Sequence, residues 1–556
     1  MWEVALRVLE TAVGLRFLLV GPWDPDCGEY TFLAPPLGVW RLAGALQSAG
    51  VAAEVFDPNC VAGAPEARFE ELLRAGHFDL VGFSTTGMTL RFDLALAHLA
   101  RRVLPRAFLV AGGMEATFQP EALFDLGPFD LVVLGEGERP LLELASRMRT
   151  RSSLDSVAGT ARRLPDGTLA RRPQAALTRA ELADAVFGTP YEKMPFRKYW
   201  RRLETAYEIG ALPYKAHREA QLAEIRSIRL NTLNYCPLGC TFCSSTNFLN
   251  AAQEGTARVA RLDAGECVAM VRRIVSAYPD VRTIIFQDDI FAFTSDQRLV
   301  PLCEGILAAK RSGDVPAELQ LISTNRIDAM TEERLALMRR TGFRVLGFGV
   351  ESFSRPVLEE FHKGRIFPFI EPVLRSALSL GITPFLDLIL TSPRGGLPDL
   401  AETIRSVYRW VLAGCEVGVY PYVIPFSGSA MAGDPALRAC TVYATRSIPG
   451  TSIRWEQPAK ILPQDPATRD AILRIERVWL ETLPLVSDGG THLPSRVRSL
   501  LWTACAVPEL VRRGFEAPPF RGVVQSLKRW LPRLTPARER GLIRTLLAPR
   551  EDRLRA

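Results

Sequence analysis

Cys236-Pro-Leu-Gly-Cys240-Thr-Phe-Cys243 places three thiols within eight residues, just after the alternating run Ile228-Arg-Leu-Asn-Thr-Leu. A turn, rather than a helix or strand, brings three sulfurs at this spacing to one side, where soft thiolates can wrap a single metal centre. Three ligands suit a four-iron cluster with one iron left open. A structural zinc site is the competing reading, but zinc closes with four ligands and no fourth Cys or His follows at finger spacing. Ten cysteines in 556 residues are too sparse for a disulfide scaffold, so a reducing compartment, the cytoplasm, is expected.

The Cys-x-x-x-Cys-x-x-Cys pattern, with Phe242 directly before its last thiol, resembles the signature of the radical S-adenosylmethionine (SAM) superfamily. The resemblance implies a 4Fe-4S cluster on Cys236, Cys240 and Cys243, whose open iron binds the amino and carboxylate groups of SAM, with Phe242 beside the adenine. After the Cys loop, apolar strands at 228–233, 283–286, 319–323, 345–350, 383–390 and 418–423 alternate with amphipathic helices at about thirty-residue intervals, the repeat of βα units. A partial (βα)6 barrel follows over residues 226–430, with its chemistry at the carboxyl ends of the strands.

Distinctive polar residues stand at those ends. Gln287-Asp288-Asp289 follows the second strand, where the superfamily holds the SAM amino group, and carboxylates suit an ammonium ligand. Asn325, in Thr324-Asn325-Arg326, is placed toward the SAM carboxylate or the substrate, with Arg326 equally readable as a structural ion pair. Glu351 and Ser352 resemble the Gly-x-Glu-Ser element that binds the SAM ribose and amino acid portion; Lys363 reads as a family basic position or as a surface charge. Tyr420 and Tyr422 share one side of the sixth strand by the two-residue period, and Tyr422 is assigned to SAM.

Upstream, short apolar runs at 16–20, 53–56, 80–83, 107–111 and 131–134 alternate with helical stretches. This order predicts a doubly wound parallel sheet over residues 14–148, with ligands beyond the carboxyl ends of its strands. Ser84-Thr85-Thr86, Gly112-Gly113 with Thr117, and Gly135-Glu136-Gly137-Glu138 gather there. Glycines in such turns let the main chain approach a large flat ligand. Together these turns resemble the cobalamin-binding domain that precedes the barrel in the cobalamin-dependent branch. The family's Asp-x-His-x-x-Gly motif is absent, which implies a cobalt without a histidine ligand; His98 reads as a helix-surface residue.

Residues 149–225 read as a linker with a hairpin turning at Asp166-Gly167 and a charged helix over 201–224. Residues 431–556 read as a mostly helical C-terminal region, with Cys505 more readily buried packing than a catalytic thiol. No apolar run is long enough to span a bilayer. The net charge of +7 is modest and its arginines scattered, so nucleic acid is not expected as a partner.

The resemblance implies a small-molecule or peptide substrate and an electron donor such as flavodoxin or ferredoxin. It further implies C-methylation of an unactivated carbon in specialised metabolism, with radical cyclisation, oxidation or ring contraction without methyl transfer as the alternative. A cobalamin-binding regulatory module is the reading from another class; the intact Cys triad argues against it.

Overall fold

A computed structural model describes residues 14–23, 25, 34–206, 215–295, 297–486, 495–530 and 536–547. Five strands, β1 (Arg16–Val20), β2 (Ala52–Phe56), β3 (Leu80–Thr85), β4 (Phe108–Gly113) and β5 (Leu131–Val133), run parallel in the order β2-β1-β3-β4-β5. The central strands are apolar and covered on both faces, as the uninterrupted runs predict. The strand order reverses at β1, where β2 and β3 pair on its opposite sides, so a crevice opens beyond the strands' carboxyl ends.

The hairpin expected in the linker belongs to this sheet. β6 (Thr160–Arg163) and β7 (Leu169–Arg172) continue it antiparallel from β5, through the pairs Val132↔Ala161 and Val133↔Thr160. The turn is set by Gly167 at φ +83° and by the Thr168 amide donating to Asp166 Oδ1 at 2.9 Å. The first unit therefore extends past 148. Of the helix expected over 201–224, Phe196–Ala206 and Lys215–Ile225 are helical, and 207–214 lie outside the described residues.

The second sheet has six parallel strands in sequential order: β8 (Ser227–Leu230), β9 (Thr283–Phe286), β10 (Gln320–Asn325), β11 (Phe343–Glu351), β12 (Thr383–Ile389) and β13 (Glu416–Tyr420). This is the (βα)6 partial barrel. In β12, Pro384, Leu386 and Leu388 are buried while Phe385 and Asp387, of opposite parity, are only half-buried. The helix Ser495–Arg512 packs along β13, with Arg496 donating to the Gly414 carbonyl at 2.9 Å and Ser499 to that of Val417.

The C-terminal region is less uniformly helical than its composition suggests. Before its helices stands a hairpin, β14 (Thr441–Ser447) and β15 (Arg454–Ile461). Ile448, buried, and Ile453 and Trp455, half-buried, pack into the core of the first sheet, and the Gln457 amide donates to the Gly87 carbonyl at 2.7 Å. The carboxyl ends of the two parallel sheets thus face one another. Across the junction Ser427 donates to Glu115 Oε1 at 3.2 Å and Phe118 meets Phe248 edge-on at 6.3 Å. Among the described residues no helix is long and apolar enough to cross a membrane.

Candidate functional site

The thiol loop is held from beneath by β9. Asp288 accepts the amides of Thr232 and Leu233 at 2.6 and 2.9 Å, and the Thr232 hydroxyl as well. Arg298 backs it at 4.0 Å. All of this is buried, so Asp288 fixes the chain that leads to Cys236 and is not free to meet SAM: a correction to its assignment. Gly239, at φ +70°, turns the loop, and its amide is received by Thr246. Burial pushes all three thiols up, Cys236 to about 12, with the neighbouring sulfurs adding to the rise at Cys236 and Cys240 and Asp289 adding to it at Cys243. Lys363 and Arg326 work the other way on Cys240. The metal-free thiols are therefore protonated near neutral pH, and thiolates there need a cationic centre. Among the described residues no three His, Cys, Asp or Glu side chains converge on a single metal ion. Three soft thiol donors on one loop suit a four-iron cube with one iron left open better than zinc, which closes with four protein ligands in a structural site.

Beside the loop, β11 ends in a bulge against β12 between Gly349 and Glu351, and Glu351 takes φ +65°, a strained conformation outside glycine. Its carboxylate meets Lys363 Nζ at 2.8 Å, and Lys363 also donates to the Gly349 carbonyl at 2.6 Å. A Cβ on Gly349 would stand 2.7 Å from Glu351 Oε1 and 2.8 Å from Lys363 Nζ, so a side chain there would push the ends of the pair aside. Lys363 is buried, not a surface charge. Burial works against its ammonium, but Glu351 and Cys240 outweigh it. Its Nζ lies 5.7 Å from the Phe242 ring, which rests on Phe361.

Asp289, in contrast to Asp288, is exposed into the space beside Cys236 and Cys243 and is held by Ser245; Gln287 is exposed next to it. Asn325 donates to Ser323 and leaves Oδ1 buried without a partner among the described residues. Arg326 forms a bidentate pair with Asp328 at 2.7 and 2.6 Å.

Two further assignments are corrected. Ser352 is spent on Thr403 and the Ser354 amide. Tyr422 lies beyond the end of β13, donating to Glu476 at 2.7 Å beneath Lys460. One residue was missed: Asp387, at the level of Gly349 and Gly418, is raised to about 7 by burial and Glu351. A lone carboxylate at an alternate position of an apolar strand was the available signal. Cys505 is buried against Thr482, its thiol pushed up to about 12 by burial.

In the first sheet Ser84, Gly112, Gly113 and the run Gly135-Glu136-Gly137-Glu138 converge on one slot of about 210 Å³ beyond the strand ends. Arg41, unremarked in the sequence, pairs with Glu138 there. Glu136 Oε1 and Glu138 Oε2 are buried without partners among the described residues. A glycine-lined slot with unspent acceptors fits an uncharged, amide-bearing ligand such as cobalamin. Three assignments change: Thr85 bonds Gly112 and Ala116, and Thr117 bonds Gly113 and Gly135, so both brace the slot instead of facing it. Thr86 meets Thr89. His98 bonds the Leu126 carbonyl at 2.9 Å.

At the rim of the first sheet, Asp57 accepts the Tyr199 hydroxyl at 2.8 Å, and burial raises it to about 6. A raised carboxyl holds its proton in the fold after the unfolded chain has released it, so its contribution is present below about pH 4 and lost as pH climbs through 6. Asp57→Asn is expected to gain on the parent chain over that interval, by on the order of 1–3 kcal/mol, in denaturant titrations at pH 4.5 and 7.

Residues 25–145 match the B12 binding domain family and residues 230–407 the radical SAM superfamily. Among curated proteins, an uncharacterised methyltransferase of Pyrococcus horikoshii is 23% identical over 67% of this chain and 72% of its own. The cytidylyl-2-hydroxyethylphosphonate methyltransferase of Streptomyces wedmorensis is 27% identical over 62% and 63%. Among solved structures, the cobalamin-dependent SAM radical enzyme OxsB covers 98% of this chain and 82% of its own at TM-score 0.62 and 16% identity. The radical SAM methyltransferase TsrM of Kitasatospora setae covers 93% and 99% at 0.63 and 16%. At these identities the structural likeness speaks for the fold.

Proposed function

Because this chain joins a cobalamin-binding domain to a radical SAM domain and so belongs with the cobalamin-dependent radical SAM enzymes, we propose that it opens radical chemistry at an unactivated carbon of a small molecule. The observation that carries the reading is the abutment of two carboxyl-terminal faces, one bearing the thiol loop and the other the glycine-lined slot.

A reduced cluster would supply the electron that splits SAM into methionine and a 5'-deoxyadenosyl radical, drawn from a flavodoxin- or ferredoxin-type donor. The chain's own residues bind and orient. Asp289 offers an acceptor to the SAM ammonium, Phe242 an apolar wall to the adenine, and Lys363 fixes Glu351 toward the same space.

Radical cyclisation, oxidation or ring contraction, with no methyl leaving the cobalamin, is the first reading of the outcome. Its support is a cyclase among the curated relatives, the anaerobic magnesium-protoporphyrin IX monomethyl ester cyclase of Cereibacter sphaeroides, 24% identical over 71% of this chain and 60% of its own. C-methylation is the second reading, favoured by the methyltransferases among the relatives. Anaerobic reconstitution with cluster, hydroxocobalamin, SAM and a low-potential reductant is expected to yield 5'-deoxyadenosine. S-adenosylhomocysteine formed beside it would move the assignment to methyl transfer, and absence of both products would end the enzymatic reading.

A further inference from the structure

A second cavity, of about 200 Å³, adjoins the slot and shares Gly38, Arg41, Glu136 and Phe248 with it. Its opposite wall belongs to the barrel: Asn231 and Asn234, on the stretch that leads from β8 to Cys236. Three buried polar atoms of these walls have no partner among the described residues, namely Asn231 Oδ1, Asn234 Nδ2 and Glu136 Oε1. Two of the three groups are tethered by their other atom. Asn234 Oδ1 accepts the Ala260 amide at 2.8 Å, which fixes the side-chain orientation and leaves Nδ2 over. Glu136 Oε2 accepts the Leu177 amide at 2.7 Å.

Folded interiors leave few such groups unpaired, and three around one cavity call for an occupant. The cavity exceeds what one bridging water fills. Two acceptors and one donor complement primary amides, whose NH2 donates and whose carbonyl accepts. A corrin ring is fringed with acetamide and propionamide arms. We propose that Asn231 and Asn234 of the barrel bind amide arms of a corrinoid held by the first domain, with Glu136 facing them from the slot, so that the corrinoid site is completed by the barrel. This rests on the cobalamin reading above and adds residues that the B12-binding segment, 25–145, does not contain.

The test titrates hydroxocobalamin into the reconstituted full-length protein and into Asn231→Ala, Asn234→Ala and Glu136→Gln. The last keeps shape while replacing an acceptor with a donor. Each variant is expected to weaken hydroxocobalamin binding about ten-fold, roughly the loss of one hydrogen bond, with the visible absorption of the cluster unchanged. Hydrogen exchange of the peptide spanning 228–235 is expected to slow on adding hydroxocobalamin. Affinities within two-fold of the parent in all three variants, or exchange unaltered at 228–235, would mean that the cavity holds only water, and would overturn the proposal while leaving the slot assignment standing. Failure of the parent itself to bind hydroxocobalamin would remove the cobalamin reading and this proposal with it.

Discussion

Replacing Cys240 by Ala is expected to abolish the visible absorption of the reconstituted cluster and to reduce SAM cleavage to background. The loop leaves no substitute. Cys440 and Cys303, the one half-buried and the other buried, belong to other elements, and the carboxylate beside Cys236 and Cys243, that of Asp289, is a hard oxygen donor that suits iron-sulfur ligation less than a thiolate does. With one thiolate gone, a four-iron cube would keep two protein ligands in a site whose burial already disfavours sulfur anions. Anaerobic absorption spectra and quantitation of 5'-deoxyadenosine check this. Retention of both signals would disprove the ligand assignment.

Lys363→Met is expected to carry the largest cost in stability. It strands the Glu351 carboxylate, 10% exposed at the side chain, beside Asp387 in a pocket from which water is largely excluded. Removing one partner of a buried pair costs about 3–5 kcal/mol, because the remaining charge has lost both water and its counter-ion. The sign of the pH response follows. Burial and Glu351 hold Asp387 at about 7 while Lys363 pulls it down, so without Lys363 its carboxyl keeps its proton to higher pH, and the variant's deficit is expected to grow as pH rises through and above about 7. Denaturant titrations at pH 5 and pH 8 measure it; an equal deficit at both would show that Lys363 acts by packing alone.

Much of the fold was legible because each element carried its period in the sequence. Past their first residues the β1 and β9 runs are wholly apolar, and their observed bounds, Arg16–Val20 and Thr283–Phe286, coincide with the expected ones. The hairpin β14–β15 escaped notice because its strands are mostly half-buried and rich in Arg, Thr and Glu, so no hydrophobic alternation marks them. Its register is fixed by the sheet it docks on, which lies far away in sequence. The cysteines were legible because chemistry demands their spacing.

The individual contacts were not. A sequence cannot tell Asp288, consumed by Thr232 and Leu233, from Asp289, one residue on and open to the cavity. Thr85 and Thr117 had the same ambiguity, since a hydroxyl serves equally as ligand or as brace. The burial of Lys363 depended on Gly349, fourteen residues upstream, making room for it.

The docking of Ile448 and Trp455 on the first sheet also bears on how the chain matures during synthesis. A ribosome delivers the first five strands hundreds of residues before it delivers that apolar edge, and contacts so distant in sequence form late. Until then the nascent N-terminal unit presents an uncovered greasy flank. Its final consolidation coincides with closure of the interdomain junction, so a chain ending before residue 448 would lack the edge that covers this flank.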